Sequence, residues 1–277
     1  MTIIAGVDRH RQMPDQSPNE FVIASSVRTK IVIQLAEGAA STDELLDGIP
    51  ASGSAVYDAV STLADHGLVS EREDAWELTA HGQLVTDSIE QWQSTEAFLG
   101  SDPEYWKRHD AGVIPKKFRR RLPEIGDYEV VRSDGAQVTR HHRAALRRMR
   151  EADHCLIFSP FFSLEYQEAV PDSPETRMLV HPSAIDTRAQ RTRDGLEAGK
   201  EFEHAEVRLT QYECSYAVGE DFLVLNLPTQ SGEPTKATVV SETASAVQWG
   251  RELFEEKWAE SGSAEQYAVR EHPDVFS

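Results

Sequence analysis

The hydrophobic pattern of this chain changes its period partway along, and that change limits what it can fold into. Up to about residue 99, apolar side chains recur every three or four positions, as in helices that bury one face. From Cys155 onward they form short continuous runs, densest at Cys155 to Phe158 and Phe222 to Leu225, as in buried strands. A length of 277 residues suits two such units. Hydrophobic residues make up 39% of the chain, enough to build cores, which excludes a disordered polyanion. No run approaches the roughly 18 apolar residues of a membrane span. Asp8-Arg9-His10-Arg11 interrupts the start too early for a signal peptide. Cys155 and Cys214 give no disulfide framework, so a reduced cytoplasm is the expected location.

Residues 1–18 read as a flexible tail. A helical pattern then runs from Asn19 through Phe21, Ile23, Ala24, Val27, Ile31 and Leu35 to Gly38. Ser41 to Glu44 has capping-box spacing and starts a short helix. Ser52 or Ser54 caps a third helix, with Val56, Ala59, Val60 and Leu63 on one stripe. Leu68 to Ser70 and Ala75 to Leu78 read as two strands around the polar turn Glu71 to Asp74. A longer helix opens near Thr79 and runs to about Leu99. Helix, short helix, helix, two-stranded wing and helix make a winged helix-turn-helix over residues 19–83, with the third helix as the reading helix. Leu84, Val85, Ile89, Trp92 and Phe98 mark the last helix as a dimerisation surface or a connector. A homodimer is expected, because operators are commonly read by two-fold dimers.

The segment from Ser54 to Val69, SAVYDAVSTLADHGLV, resembles winged-helix repressors of the TrmB and ArsR type. The resemblance implies that double-stranded operator DNA is the partner. The outward face of the third helix then offers Ser52, Ser54, Tyr57, Asp58, Ser61 and Thr62. Hydroxyls can bond base edges or phosphates, and Asp58 can accept from cytosine or bind a bridging cation. The face has no Lys or Arg, so the common arginine–guanine fork is missing. Arg28, Lys30 and Arg72 are the nearby candidates for phosphate contacts, with Arg9 and Arg11 in the tail. The alternative is a winged helix used for protein contacts.

A formal net charge of −19 would oppose a nucleic-acid partner at low salt. Its composition weakens that objection: only 7 of the 28 basic residues are lysine, and Asp and Glu are plentiful, as in proteins of salt-accumulating cells. At about 1 M salt the Debye length is about 3 Å, and long-range repulsion is screened. The charge is also uneven. Residues 1–90 hold 5 basic and 15 acidic residues, residues 91–150 hold 13 and 8, and residues 151–277 hold 10 and 24. The arginine-rich middle, 116–150, reads as a solvated face or a clamp onto the acidic flanks, ahead of a DNA contact.

That middle opens with Tyr105-Trp106, His109-Asp110, then Gly112-Val113-Ile114-Pro115 and a short helix ending at Ile125-Gly126. With Trp249-Gly250 and Leu253-Phe254 near the end, this pattern is similar to FilR-type archaeal transcription factors of the methanogenesis-regulator family. The similarity spans residues 20–261. It implies an α+β protein overall: the winged helix, a helical linker and basic segment over 84–127, and an α/β phospholipase-D-like sensor domain over 128–261. Residues 262–277 read as a second tail. In the sensor region, helices are expected over 138–151, 186–200 and 243–260. Strands are expected at 155–159, 176–180, 206–209, 215–218, 222–227 and 238–240.

The implied phospholipase-D-like fold raises an enzyme alternative. Those enzymes pair a histidine nucleophile with a lysine two residues later and an aspartate five beyond it. None of the ten histidines has that lysine; His141 comes nearest, with Arg143 and Arg148 at the matching positions. No catalytic residue and no cofactor are therefore expected. A thiol sensor or metal site joining Cys155, near His154, to Cys214, near Glu213, is the weaker alternative, since no metal-ligand spacing is present. A small-molecule effector site is expected beyond strand ends, at Phe161, Phe162 and His181.

Overall fold

The computed structural model describes residues 16–133, 139–199, 202–232 and 235–276. It divides into two compact units at Ser94/Thr95. The expected tail, 1–18, lies outside the described residues up to residue 15.

In the first unit, Ser17 accepts from Glu20 N and starts α1, Pro18–Ile23, through a capping box. Ser25 then accepts from Arg28 N and starts α2, Ser26–Ala36. The single helix expected from Asn19 to Leu35 is thus two. A cap-forming serine offers the backbone another hydrogen bond, and the break rotates the buried stripe onto Val22, Ile31, Val32 and Leu35 while Ile23 turns outward. Strand β1, Ala40–Ser41, leads into α3, Thr42–Gly48, where Ser41 and Glu44 form the anticipated capping box. Helix α4, Gly53–Asp65, is capped by Ser52 and buries Val56, Ala59, Val60 and Leu63.

Strands β2, Val69–Arg72, and β3, Ala75–Leu78, pair antiparallel with Arg72 opposite Ala75, and β1 adds to β3 in a three-stranded sheet. The two-residue tip, Glu73 and Asp74, has positive φ at both positions (51° and 63°), which matches the right-handed twist of the strands. Helix α5, Ala80–Ser101, starts at Thr79, which donates to Gly67 O and accepts from Gly82 N. Gly82 is obligatory there: a Cβ would lie 1.9 Å from the Leu68 carbonyl oxygen. Val85 and Ile89 of α5 close the core over Leu45, Val56, Leu63 and Leu68.

The second unit is built on an eight-stranded sheet in the order β11-β7-β6-β5-β8-β9-β10-β4. The strands are β4 Glu129–Arg132, β5 Leu156–Ser159, β6 Arg177–Val180, β7 Glu206–Leu209, β8 Ser215–Val218, β9 Leu223–Asn226, β10 Ala237–Ser241 and β11 Gly262–Ser263. β5, β6 and β7 run parallel; their other pairings and those of the remaining strands are antiparallel. The period-2 alternation sends Leu156, Phe158, Tyr216, Leu223 and Leu225 to one core, and Ile157, Ala217 and Val224 to the other. Helices cover both faces, as buried strands require.

One face packs on α6, Pro103–Arg108, α7, Lys116–Arg119, and α11, Ala244–Ala259. The other packs on α8, Arg140–Glu151, α9, Leu164–Ala169, and α10, Pro182–Arg193. The Trp249-Gly250 pair seats α11. Trp249 Nε1 donates to Phe118 O at 3.1 Å, and a Cβ on Gly250 would meet Val218 Cγ2 at 2.6 Å. Helix α10 begins four residues before the expected 186, because Pro182 suits a first turn and His181 caps it.

Residues 262–277 are not a tail through most of their length. β11 pairs with β7, and α12, Ala264–Glu271, buries Ala264 and Ala268. Asp186 accepts from Tyr267 Oη at 3.0 Å and contacts His272 Nε2 at 2.8 Å. Its few apolar residues gave no periodicity to read; long-range polar contacts hold it instead. Cys155 and Cys214 do not meet either. They lie in different cores on opposite faces of the sheet, and burial pushes each thiol up to about 12. No helix among the described residues is long and apolar enough to cross a membrane, and no cluster of metal-ligating side chains occurs among them.

Candidate nucleic-acid interface

The four apolar side chains of α4 face the core, so the opposite side of the helix faces solvent. Ser52, Ser54, Tyr57, Asp58 and Ser61 are all exposed there, Tyr57 at 57%. The first turn is organised by hydroxyls: Ser52 Oγ accepts from Ala55 N at 3.3 Å and lies 3.2 Å from Ser54 Oγ. Thr62 is only half-buried, and its hydroxyl donates to Ala59 O at 3.0 Å. It therefore stands apart from the other five, committed to its own helix.

The flanking cations separate in the same way. Arg28 is half-buried, donates to Phe21 O at 2.9 Å, and stacks its guanidinium over the Phe21 ring at 4.1 Å. It ties α2 to α1. Arg72 bonds Glu77 at 2.8 Å across the wing. Lys30 is exposed with no ion-pair partner among the described residues. The wing tip carries Glu73 and Asp74, so the wing presents carboxylates where a phosphate contact would need cations. The face as a whole offers hydroxyls, an aromatic ring and two carboxylates, Asp58 and Asp65.

In the second unit, Phe161 is exposed and edge-on to Tyr166, and Phe162 is half-buried beneath the Arg191 guanidinium. His181 is the cap of α10, with Nδ1 2.8 Å from Ser183 Oγ. A cavity at the carboxyl ends of parallel β6 and β7, about 640 Å³, is lined by Pro182, Tyr212, Lys257, Tyr267 and Arg270.

A second cavity, about 580 Å³, lies between α6, the end of β4 and the approach to β10. Lys107, Arg108, Arg132 and Lys236 line it, with Ser133, Thr229 and Ser231. Glu104 pairs with Lys107 and Arg108, and Asp102 pairs with Arg132 at 2.6 Å, which leaves a cationic excess among the described residues. His109 forms its floor. Nδ1 bonds Tyr105 O at 2.8 Å, Nε2 lies 3.0 Å from Thr235 Oγ1, and burial lowers its pKa. Lys107, Arg108 and His109 are neighbours in the sequence, whereas Arg132 and Lys236 are brought to them by the antiparallel pairing of β4 with β10, which sets Ala237 opposite Arg132.

Two side chains of the basic middle, on α7 and in the turn after it, clamp onto the acidic flank. Arg121 bonds Glu124 and Glu252 at 2.7 and 2.6 Å, and Lys117 pairs with Glu256. His141, the nearest match to a phosphodiesterase nucleophile, is 3% exposed and bonds Ser133 Oγ through Nδ1. Burial lowers it to about 4. A residue so placed does not present a nucleophile to a substrate.

Residues 16–97 match the family described as the HVO_A0261 N-terminal domain, and residues 138–260 match the middle domain of the methanogenesis regulatory protein FilR1. No curated protein matches the sequence. Among solved structures, TrmBL2, an archaeal chromatin protein described with a novel mode of DNA binding, is 14% identical. That overlay covers 86% of this chain and 93% of TrmBL2 at a TM-score of 0.36. NucT from Helicobacter pylori is 7% identical, covering 50% of this chain and 98% of NucT, also at 0.36. The riboflavin dimethyltransferase RosA from Streptomyces davawensis is 15% identical, covering 69% and 62%, at 0.23. Overlays at these scores assign neither a fold nor an activity. The two family matches fall one on each unit: an HVO_A0261-type N-terminal domain on the first and a FilR1-type middle domain on the second.

Proposed function

We propose that this protein is a DNA-binding transcriptional regulator, in which the first unit reads duplex DNA with α4 and the second unit senses a small-molecule signal. One observation carries the reading: α4 turns Ser54, Tyr57, Asp58 and Ser61 outward from a winged-helix core, with its amino-terminal turn capped by Ser52. Hydroxyls and a helix N-terminus suit base edges and phosphate oxygens. The match to a regulatory-protein family supports it. The exposed Leu84, Trp92 and Leu99 share one face of α5 and support a homodimer. The acid-rich, lysine-poor composition supports a saline cytoplasm as the setting. In the second unit, the cavity lined by Lys107, Arg108, Arg132 and Lys236 suits a small anionic effector better than Phe161, Phe162 and His181 do.

Fluorescence anisotropy tests the DNA reading with duplexes drawn from upstream of the protein's own gene, at molar salt. Wild-type protein prefers one duplex over its scrambled counterpart. Tyr57→Ala lowers that preference by about tenfold, the loss expected for one base contact, and leaves stability unchanged because the side chain is exposed. Equal binding to all duplexes, or none, would sink the reading.

A further inference from the structure

The first unit has a chemical shortfall. Duplex DNA binding draws its affinity from phosphates neutralised by cations, each contributing about 0.9 to the slope of log K against log salt. Among the described residues of that unit, Arg28 is spent on Phe21 and Arg72 on Glu77. Lys30 alone remains exposed and unpaired, and the wing tip adds carboxylates. Reading without holding gives a weak, shallow-sloped complex.

Helix α8 has the opposite character. Arg140, Arg143, Arg147 and Arg150 are all exposed, and none has an ion-pair partner among the described residues. Their spacing of three, four and three residues puts them within about 80° of the helix circumference, over a length of about 15 Å. Arg148, the fifth arginine of the helix, points elsewhere and bonds Glu242 at 2.7 Å. His141, Ala145, Leu146 and Met149 are buried beneath α8, so the row is mounted on a seated helix. Toward its carboxyl end, Arg147 borders a shallow cavity shared with Glu151, Asp153, Glu220, Asp221 and Glu242, and near its amino end Glu165 interacts with His142.

In a chain of net charge −19, most arginines near carboxylates are drawn into pairs, as Arg121, Arg148, Arg177 and Arg193 are. Four left outward in one row therefore stand out. Guanidinium forks match phosphate oxygens in pairs, and charge complementarity with a polyanion is strongest for such a row.

We infer that the Arg140–Arg143–Arg147–Arg150 face of α8 is a sequence-independent contact for the phosphate backbone of duplex DNA. It rests on the DNA reading above and assigns the holding function to the second unit. α4 reads and α8 holds.

The test uses the full chain and a quadruple Arg→Gln variant at these four positions. A quadruple Arg→Lys variant retains the charge and serves as the control. Binding is followed by anisotropy on the upstream duplex and on its scrambled counterpart, across about 0.1 to 1 M KCl. The Gln variant is expected to lose about 3.6 units of salt slope and at least about tenfold in affinity, equally on both duplexes. The Lys variant keeps the slope. Circular dichroism and the thermal midpoint of the Gln variant should match wild type, since the four side chains are exposed. A Gln-variant slope within about one unit of wild type overturns the inference while leaving the DNA reading intact. A changed sedimentation coefficient with an unchanged slope also overturns it, in favour of a contact between copies. Wild-type protein that binds neither duplex overturns both readings together.

Discussion

The outward face of α4 and the outward face of α8 are both seated over buried apolar stripes, yet they carry opposite chemistry. The α4 face, with its cap Ser52, exposes Ser54, Tyr57, Asp58, Ser61 and Asp65; the α8 face exposes four arginines, with Glu151 at the helix end. On the function proposed here, the difference separates two tasks that one helix often performs together. Short hydroxyl and aromatic side chains discriminate at close range, whereas guanidinium groups supply affinity that is indifferent to sequence and falls with salt.

The largest expected effect comes from separating the faces altogether. Trp249→Ala removes a fully buried indole and its bond to Phe118 O, costing about 3–5 kcal/mol. Calorimetry should then show the second unit melting well before the first. At temperatures between the two transitions, any remaining DNA preference should have a shallow salt slope. One unchanged cooperative transition would break the comparison, because the two faces would then belong to a single folding unit.

Acidification acts on the α8 side through His141, in the first turn of that helix. Burial holds its folded pKa at about 4, below the unfolded value of about 6.5, so the fold keeps it neutral while the unfolded chain takes up a proton. Its contribution is intact above about pH 6.5 and is lost as pH falls toward 4, by about 1–2 kcal/mol at pH 5. His109 and His142, also lowered by burial, act in the same direction. A His141→Gln variant should show a flatter midpoint-against-pH curve over that window. An equally steep curve would remove His141 from the account.

The smallest effect sharpens the α4 side. Glu73→Asn with Asp74→Gly supplies residues that accept the positive φ of the wing tip and removes two carboxylates. Stability is expected to rise by about 1 kcal/mol, and DNA affinity several-fold on both duplexes. A fall in affinity would mean that the tip carboxylates engage the partner, through a bridging cation.

Much of the fold was legible because its signals are local. Ser41 with Glu44, and Ser52 before the α4 stripe, announced two helix starts from residues three positions apart. The runs at Cys155 and Phe222 announced strands whose both faces are buried. The first helix misled, because one serine, Ser25, outweighed a continuous apolar pattern. The terminal segment misled because α12 is held by Asp186 and Asp274, to which Tyr267, His272 and Arg193 are bonded. The effector residues expected at strand ends were reasonable by rule, but His181 became a cap and the cationic cavity formed where β4 and β10 pair.

What the sequence determined by itself was the order of elements, the composition of the α4 face and the uneven charge. These follow from caps, periodicity and residue type, which act over a few positions. Tertiary structure decided the meaning of the arginines. Arg121 meets Glu252 across 131 positions and Arg148 meets Glu242 across 94, whereas their neighbours on α8 meet no carboxylate among the described residues. A guanidinium costs least where it has a carboxylate to share its charge. Which ones find that partner depends on how the chain returns on itself, which no local pattern records.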